Sequence, residues 1–113
     1  MNNVNLLGNL TRDPKFFPNK DDANFVAKFD VATKVGYDSE KKEDRVAFVP
    51  ITAFGISAAF REHLKKGRLV SINGRVENDA YHDKDGQKVY ATTVKVFNGS
   101  LRLIDFPKKE EPK

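Results

Sequence analysis

The chain has 113 residues, no cysteine, 39% hydrophobic and 32% charged residues, and a formal net charge of +4. That length suits one domain with one core. The composition excludes disulfides and thiolate chemistry, and no apolar run approaches the ~20 residues of a membrane span.

The N-terminus, MNNVNLLGNLTRDP, has no basic segment followed by a long apolar stretch, so it does not read as a signal peptide and the expected location is the cytoplasm. Residues 3–12 alternate loosely through Val4, Leu6, Gly8 and Leu10 and predict a first strand. Asp13-Pro14 and Pro18-Asn19 then punctuate a loop running through Asp22. Asn24–Lys34 predicts a second strand, with Phe25, Ala27, Phe29 and Val31 on one face and Val26, Lys28, Asp30 and Ala32 on the other. Gly36–Asp44 is polar and charge-rich, and it predicts a mobile hairpin loop. Arg45–Gly55 predicts the third strand. Phe48, Pro50, Thr52 and Phe54 share one face, and Val49, Ile51 and Ala53 share the other. The compact aliphatic set suits a core, and Pro50, which cannot donate to a ladder, predicts a bulge or an unpaired position.

Ser57–Leu64 is the one strong helical window. Ile56, Ala59, Phe60, His63 and Leu64 fall on one face, Ser57 suits the N-cap, and Gly67 suits the position after the C-cap. Leu69–Glu77 predicts a fourth strand with Val70, Ile72 and Val76 inside and Ser71, Asn73 and Arg75 outside. Asp85-Gly86 marks a hairpin turn, and Lys88–Phe97 predicts a fifth strand with Tyr90, Val94 and Val96 looking inward. Asn98-Gly99-Ser100 matches a glycosylation sequon and reads as a turn. Residues 1–104 make the one expected domain, and 105–113 a short flexible tail.

Five strands with a helix between the third and fourth predict an all-β chain closed into an oligonucleotide-binding (OB-fold) barrel, since closure removes sheet edges. An SH3-like barrel would lack such a helix at this place.

The rings of Phe48 and Phe54, and of Tyr81 at the base of the hairpin signal AYHDKDGQKVY, suit a platform for nucleic-acid bases beside positive charge. Arg12, Lys28, Lys34, Arg45, Lys66, Arg75 and Lys88 lie on or beside the strands that would line such a groove and are the candidate phosphate contacts. Most of the twenty Lys and Arg residues read as solvated surface, and Lys41 and Lys42 sit among Asp38, Glu40, Glu43 and Asp44. Catalysis has little support. His63 and His82 form no ligand set, Asp83-Lys84-Asp85-Gly86 lacks the later ligands of a calcium loop, and there is no nucleophile motif. The expectation is no enzyme, no cofactor and no metal.

The segments VNLLGNLTRDP at 4–14, FDVAT at 29–33, Phe54-Gly55, LKKG at 64–67, VSINGRV at 70–76 and DKDGQKVY at 83–90, in this order and spacing, resemble the bacterial-type single-stranded DNA-binding proteins. The likeness covers roughly residues 3–104. It implies stacking roles for Tyr37, Phe48, Phe54 and Tyr81, of which Tyr37 comes from the resemblance alone. It also implies a homo-oligomer, most often a tetramer and otherwise a dimer, with the N-terminal strand as candidate interface. The implied activity is sequence-independent coating of single-stranded DNA during replication, recombination and repair. Two departures stand out. Basic residues usually precede the last ring, where this chain has Glu77-Asn78-Asp79-Ala80, and the ending Asp105-Phe106-Pro107 is a poor match to the usual acidic tip, so recruitment of host repair enzymes is doubtful. A compact phage or mobile-element form, or a truncation, would account for the ending. A primosome-type or RNA-binding barrel, and a protein-interaction barrel, are the alternative readings.

Overall fold

The computed structural model describes residues 1–19, 23–97 and 99–104; the expected tail and Asn98 lie outside that range. The described strands are β1 (Val4–Leu10), β2 (Lys15–Pro18), β3 (Phe25–Asp38), β4 (Glu43–Ile56), β5 (Leu69–His82), β6 (Lys88–Val96) and β7 (Leu101–Leu103), with one short helix, α1 (Ala58–Arg61), between β4 and β5. Five strands close a ring. β1 pairs β3, β3 pairs β4, β4 pairs β6, β6 pairs β5, and β5 returns to β1. All of these pairings are antiparallel except β4 with β6. This ring is the five-stranded barrel expected, and β2 and β7 are additions that flank β3 and β5.

The period-2 pattern accounts for the core. Ala27, Phe29 and Val31 of β3, Ile51 and Ala53 of β4, Val70 and Ile72 of β5, and Val94 and Val96 of β6 are buried together with Leu10, Ile56, Leu64 and Leu101. Closure depends on two close approaches. A Cβ on Gly8 would stand 2.4 Å from the Ala32 carbonyl oxygen, and one on Gly74 would stand 2.5 Å from that of Lys95. Glycine at both places lets strands cross tightly where the sheet turns the corner of a barrel.

The structure corrects several local expectations. Gly36–Asp44 is mostly ordered strand: β3 runs to Asp38, β4 resumes at Glu43, and the Asp38 carboxylate accepts the backbone N–H groups of Glu40 and Lys41 in the turn. No core lies beneath this hairpin, so no apolar alternation marks it. Lys15–Pro18, expected as loop, is β2; its four residues are too few to show a period. Pro50 makes no bulge and stays in register opposite Asp30. β6 joins β4 only from Ile51 to Ala53, so Pro50 stands where that side of β4 is an edge, which tolerates a proline.

Val76 and Tyr90 share the inner face of their strands as expected, yet both are exposed, Tyr90 by 64%. β1 covers β5 only as far as Gly74, and the β5–β6 hairpin projects beyond the barrel. The helix is one turn rather than two. Ser57 caps it as expected, its Oγ accepting the Phe60 N–H at 3.1 Å, but no residue of α1 is buried. Arg61 docks it, its guanidinium 4.8 Å from both the Phe16 and Phe25 ring centres. Gly67 turns the chain into β5, with φ of +87° and its N–H donating to Leu10.

Because the Gly8 approach is backbone against backbone, Gly8→Ala is expected to lower stability by about 1–3 kcal/mol. Gly36→Ala, whose nearest neighbour would be the Arg45 Cδ at 3.9 Å, is expected to leave the urea midpoint nearly unchanged.

Candidate nucleic-acid interface

Residues directly opposite in a ladder share a face. The pairs Lys28 with Thr52, Asp30 with Pro50, and Ala32 with Phe48 therefore put β3 even-numbered positions on the same side as the β4 rings. On β5 and β6 the matching side carries Arg75, Glu77, Asp79 and Tyr81 opposite Lys95, Thr93, Ala91 and Val89. This is the outer face of the barrel, opposite the aliphatic core.

Two bulges aim the outermost and innermost rings. Between Lys34 and Gly36, β3 advances two residues while β4 moves one, from Val46 to Arg45. The extra residue, Val35, reverses the parity, so Tyr37 opposite Asp44 returns to the face of Phe48. Without it the odd-numbered Tyr37 would point away. Between Ala27 and Phe25, β4 spends three residues, Ala53 to Ile56, on two of β3. Gly55 takes up this bulge at φ of +76°, a backbone conformation costly for any other residue, and the bulge sets the angle of Phe54.

Tyr37, Phe48 and Tyr81 are 58%, 68% and 52% exposed, so their rings are open to a ligand. Phe54 is half-buried and lies parallel to Phe97, centroids 5.3 Å apart at an interplanar angle of 12°. Arg75 covers Phe97 at 4.5 Å, and the Lys95 ammonium lies 5.8 Å from the Phe54 ring centre. Phe54 thus has one flank occupied by its own chain. Its other surroundings form a cleft with Tyr81, Lys28, Lys95, Thr52, Asp79 and the exposed Phe17 of β2. A second cleft continues from Lys28, Thr52 and Asp79 past Pro50 and Thr93 to Arg12 and Lys15. Under their junction, the Thr93 hydroxyl donates to the Pro50 carbonyl at 3.1 Å and lies 3.4 Å from that of Thr52. These two buried hydroxyls satisfy each other where β4 meets β6.

Of the seven candidate cations, Arg12 and Lys28 line these clefts, and Lys34 and Arg75 share the outer face. Lys66 stands near the Arg12 end, its backbone N–H donating to Asp13 at 2.7 Å. Arg45 and Lys88 alternate to the opposite side of their strands. Acids hold several of the charges. Arg12 pairs with Asp30 at 2.9 Å, Lys34 with Asp44 at 3.0 Å, Lys95 with Asp79 at 2.9 Å, and Arg75 with Glu77. Phe17, Phe97, Lys15 and Lys95 were not legible as site residues. Phe17 sits in a strand too short to show, and Phe97 lies just past the end of β6.

At the hairpin turn the Asp83 carboxylate accepts the Asp85 and Gln87 N–H groups at 2.9 Å each, and no cluster able to hold a metal occurs among the described residues. No helix among them is long and apolar enough to cross a membrane.

Residues 1–101 match the model of the single-strand binding protein family. Single-stranded DNA-binding protein 1 of Clostridium acetobutylicum is 30% identical over 95 residues, covering 83% of this chain and 86% of that protein. Single-stranded DNA-binding protein 3 of the same organism is 35% identical over 97 residues, and the chain spans 65% of its length. A Staphylococcus aureus single-stranded DNA-binding protein is 34% identical, with 60% of its length spanned. Among solved structures, the Plasmodium falciparum SSB in complex with ssDNA superposes with a TM-score of 0.73 at 20% identity, over 93% of this chain and 96% of that one. That superposition establishes the OB fold.

A parallel ring pair is worth about 0.5–1.5 kcal/mol beyond burial. A double-mutant cycle of Phe54→Ala and Phe97→Ala, read by urea unfolding, is expected to give a coupling energy in that range.

Proposed function

The chain belongs to the single-strand binding protein family, a family of DNA-binding proteins that are not enzymes, and from that premise we propose that it coats single-stranded DNA with little regard to sequence. Bases stack on Tyr37, Phe48, Phe54 and Tyr81, while Arg12, Lys28, Lys34 and Arg75 track the phosphates and Arg45, Lys66 and Lys88 add flanking charge. Coating would protect exposed strands and remove their secondary structure during replication, recombination and repair. The chain works as a homo-oligomer, a tetramer or a dimer joined through β1, in the cytoplasm of a bacterium or on behalf of a phage.

The observation that carries this reading is the single outer face uniting the four rings with cations, on the side of the strands away from the core. Every base has a π-face, so such a platform tolerates any sequence. Duplex DNA keeps those faces stacked inside and cannot use it. The DNA-bound state of the Plasmodium falciparum relative adds weight.

The test is fluorescence anisotropy of a labelled oligo-dT, with duplex DNA and oligo-U as competitors. Tight binding that duplex does not displace is expected. Displacement by duplex as readily as by single strands would overturn the proposal. Phe48→Ala and Tyr81→Ala are each expected to weaken binding by about 1–3 kcal/mol with the melting temperature nearly unchanged, since both rings are exposed. Unfolding of these variants with unchanged affinity per folded molecule would assign the rings to structure.

A salt series separates stacking from charge. Seven full phosphate contacts on a single strand would give a log–log slope near −5, at about 0.7 per contact. With groove cations already held by carboxylates, a distinctly shallower slope is expected.

A further inference from the structure

The cleft between Phe54 and Tyr81 contains a group that a neutral stacking platform does not need. Asp79 lines it, with its carboxylate 46% exposed. Its Oδ1 accepts from the Lys95 ammonium at 2.9 Å, and Lys95 is only 16% exposed, so the acid is held in place from below. A carboxylate accepts at two oxygens, and one hydrogen bond leaves capacity for a second donor. The rings of Phe17, Phe54 and Tyr81 with Val26 and Ala80 give apolar walls, and Thr52 and the Lys28 side chain complete a lining in which Asp79 is the one carboxylate.

Resting on the single-strand-binding reading above, we propose that this cleft seats one base and that Asp79 reads its edge, favouring bases with an exocyclic amino group over thymine. Cytosine offers its N4 amino group and adenine its N6 amino group to an acceptor, and Asp pairs with cytosine N4 in this way. Thymine has a single N3–H flanked by two carbonyl oxygens, which a carboxylate repels. The bias is modest and superimposed on stacking, which remains open to every base.

The experiment compares anisotropy titrations of labelled oligo-dC and oligo-dT of equal length at one salt concentration, for the wild-type chain, Asp79→Asn and Asp79→Ala. Asparagine preserves the shape and an oxygen for Lys95, and its amide also donates to a thymine carbonyl. Wild type is expected to prefer oligo-dC by roughly three- to tenfold, the worth of one charged hydrogen bond partly open to water. Both variants are expected to bring the ratio near one, with oligo-dT affinity unchanged or raised. A wild-type ratio near one, a preference for oligo-dT, or a ratio that survives both variants overturns the role of Asp79 while leaving single-strand binding intact. Absence of binding to either oligonucleotide overturns the underlying reading and this one together.

Discussion

The structure depends on the return of β5 to β1. Four ladders would leave an open sheet with two edges; the fifth closes the ring and seals the aliphatic side chains inside. Closure demands that β1 lie almost on β3 and that β5 lie almost on β6, which the missing side chains of Gly8 and Gly74 permit. Every strand of the ring then has one face committed to a small, fully packed interior. The other face is surplus to stability, and the rings that stand on it are open to another use.

That division explains why large apolar side chains remain in water without harming the fold. Phe48 and Tyr37 lie on a hairpin that projects past the core, so burying them inside would require abandoning the register that buries Ile51 and Ala53 and packs Val49 against the core. A one-residue slip would turn the aliphatic set outward. The rings are therefore held out by the core, and their exposed faces are the apolar area that a stacked base would remove from water. Phe54 differs. It sits where β4 runs into the barrel, and its own chain covers one flank with Phe97, which Arg75 covers in turn. It is a fixed wall of the cleft, whereas the hairpin rings are free-standing.

The alternation of Arg45–Gly55 made the core face, and with it Phe48 and Phe54, legible from the sequence, because a strand of that length shows its period. The cap at Ser57 and the hairpin at Asp85-Gly86 were legible from local chemistry. Tyr37 was not legible from parity, because the bulge at Val35 inverts the count and nothing in the residues around it announces that bulge. Tyr90 misled for the opposite reason: its parity is right, but no core lies beneath that end of the hairpin. Phe17 and Phe97 belong to the site through neighbours distant in sequence, which a pattern along one strand cannot report.

Charge on the outer face follows from the same geometry. A diagonal step in the ladder brings Lys34 to Asp44, and the long Lys95 side chain reaches along the same face to Asp79, four positions from its own partner Arg75, so acids that look scattered along the chain meet the cations one by one. Exposed pairs of this kind add little to stability, typically under about 1 kcal/mol each. Their larger effect falls on a polyanion, which must displace a carboxylate from each cation before a phosphate can take its place. Rings carry no such internal competitor, apart from the one flank of Phe54. The balance of recognition on this face therefore shifts from phosphate toward base, and a binder that reads bases more than backbone is one in which a single fixed acceptor such as Asp79 can be felt.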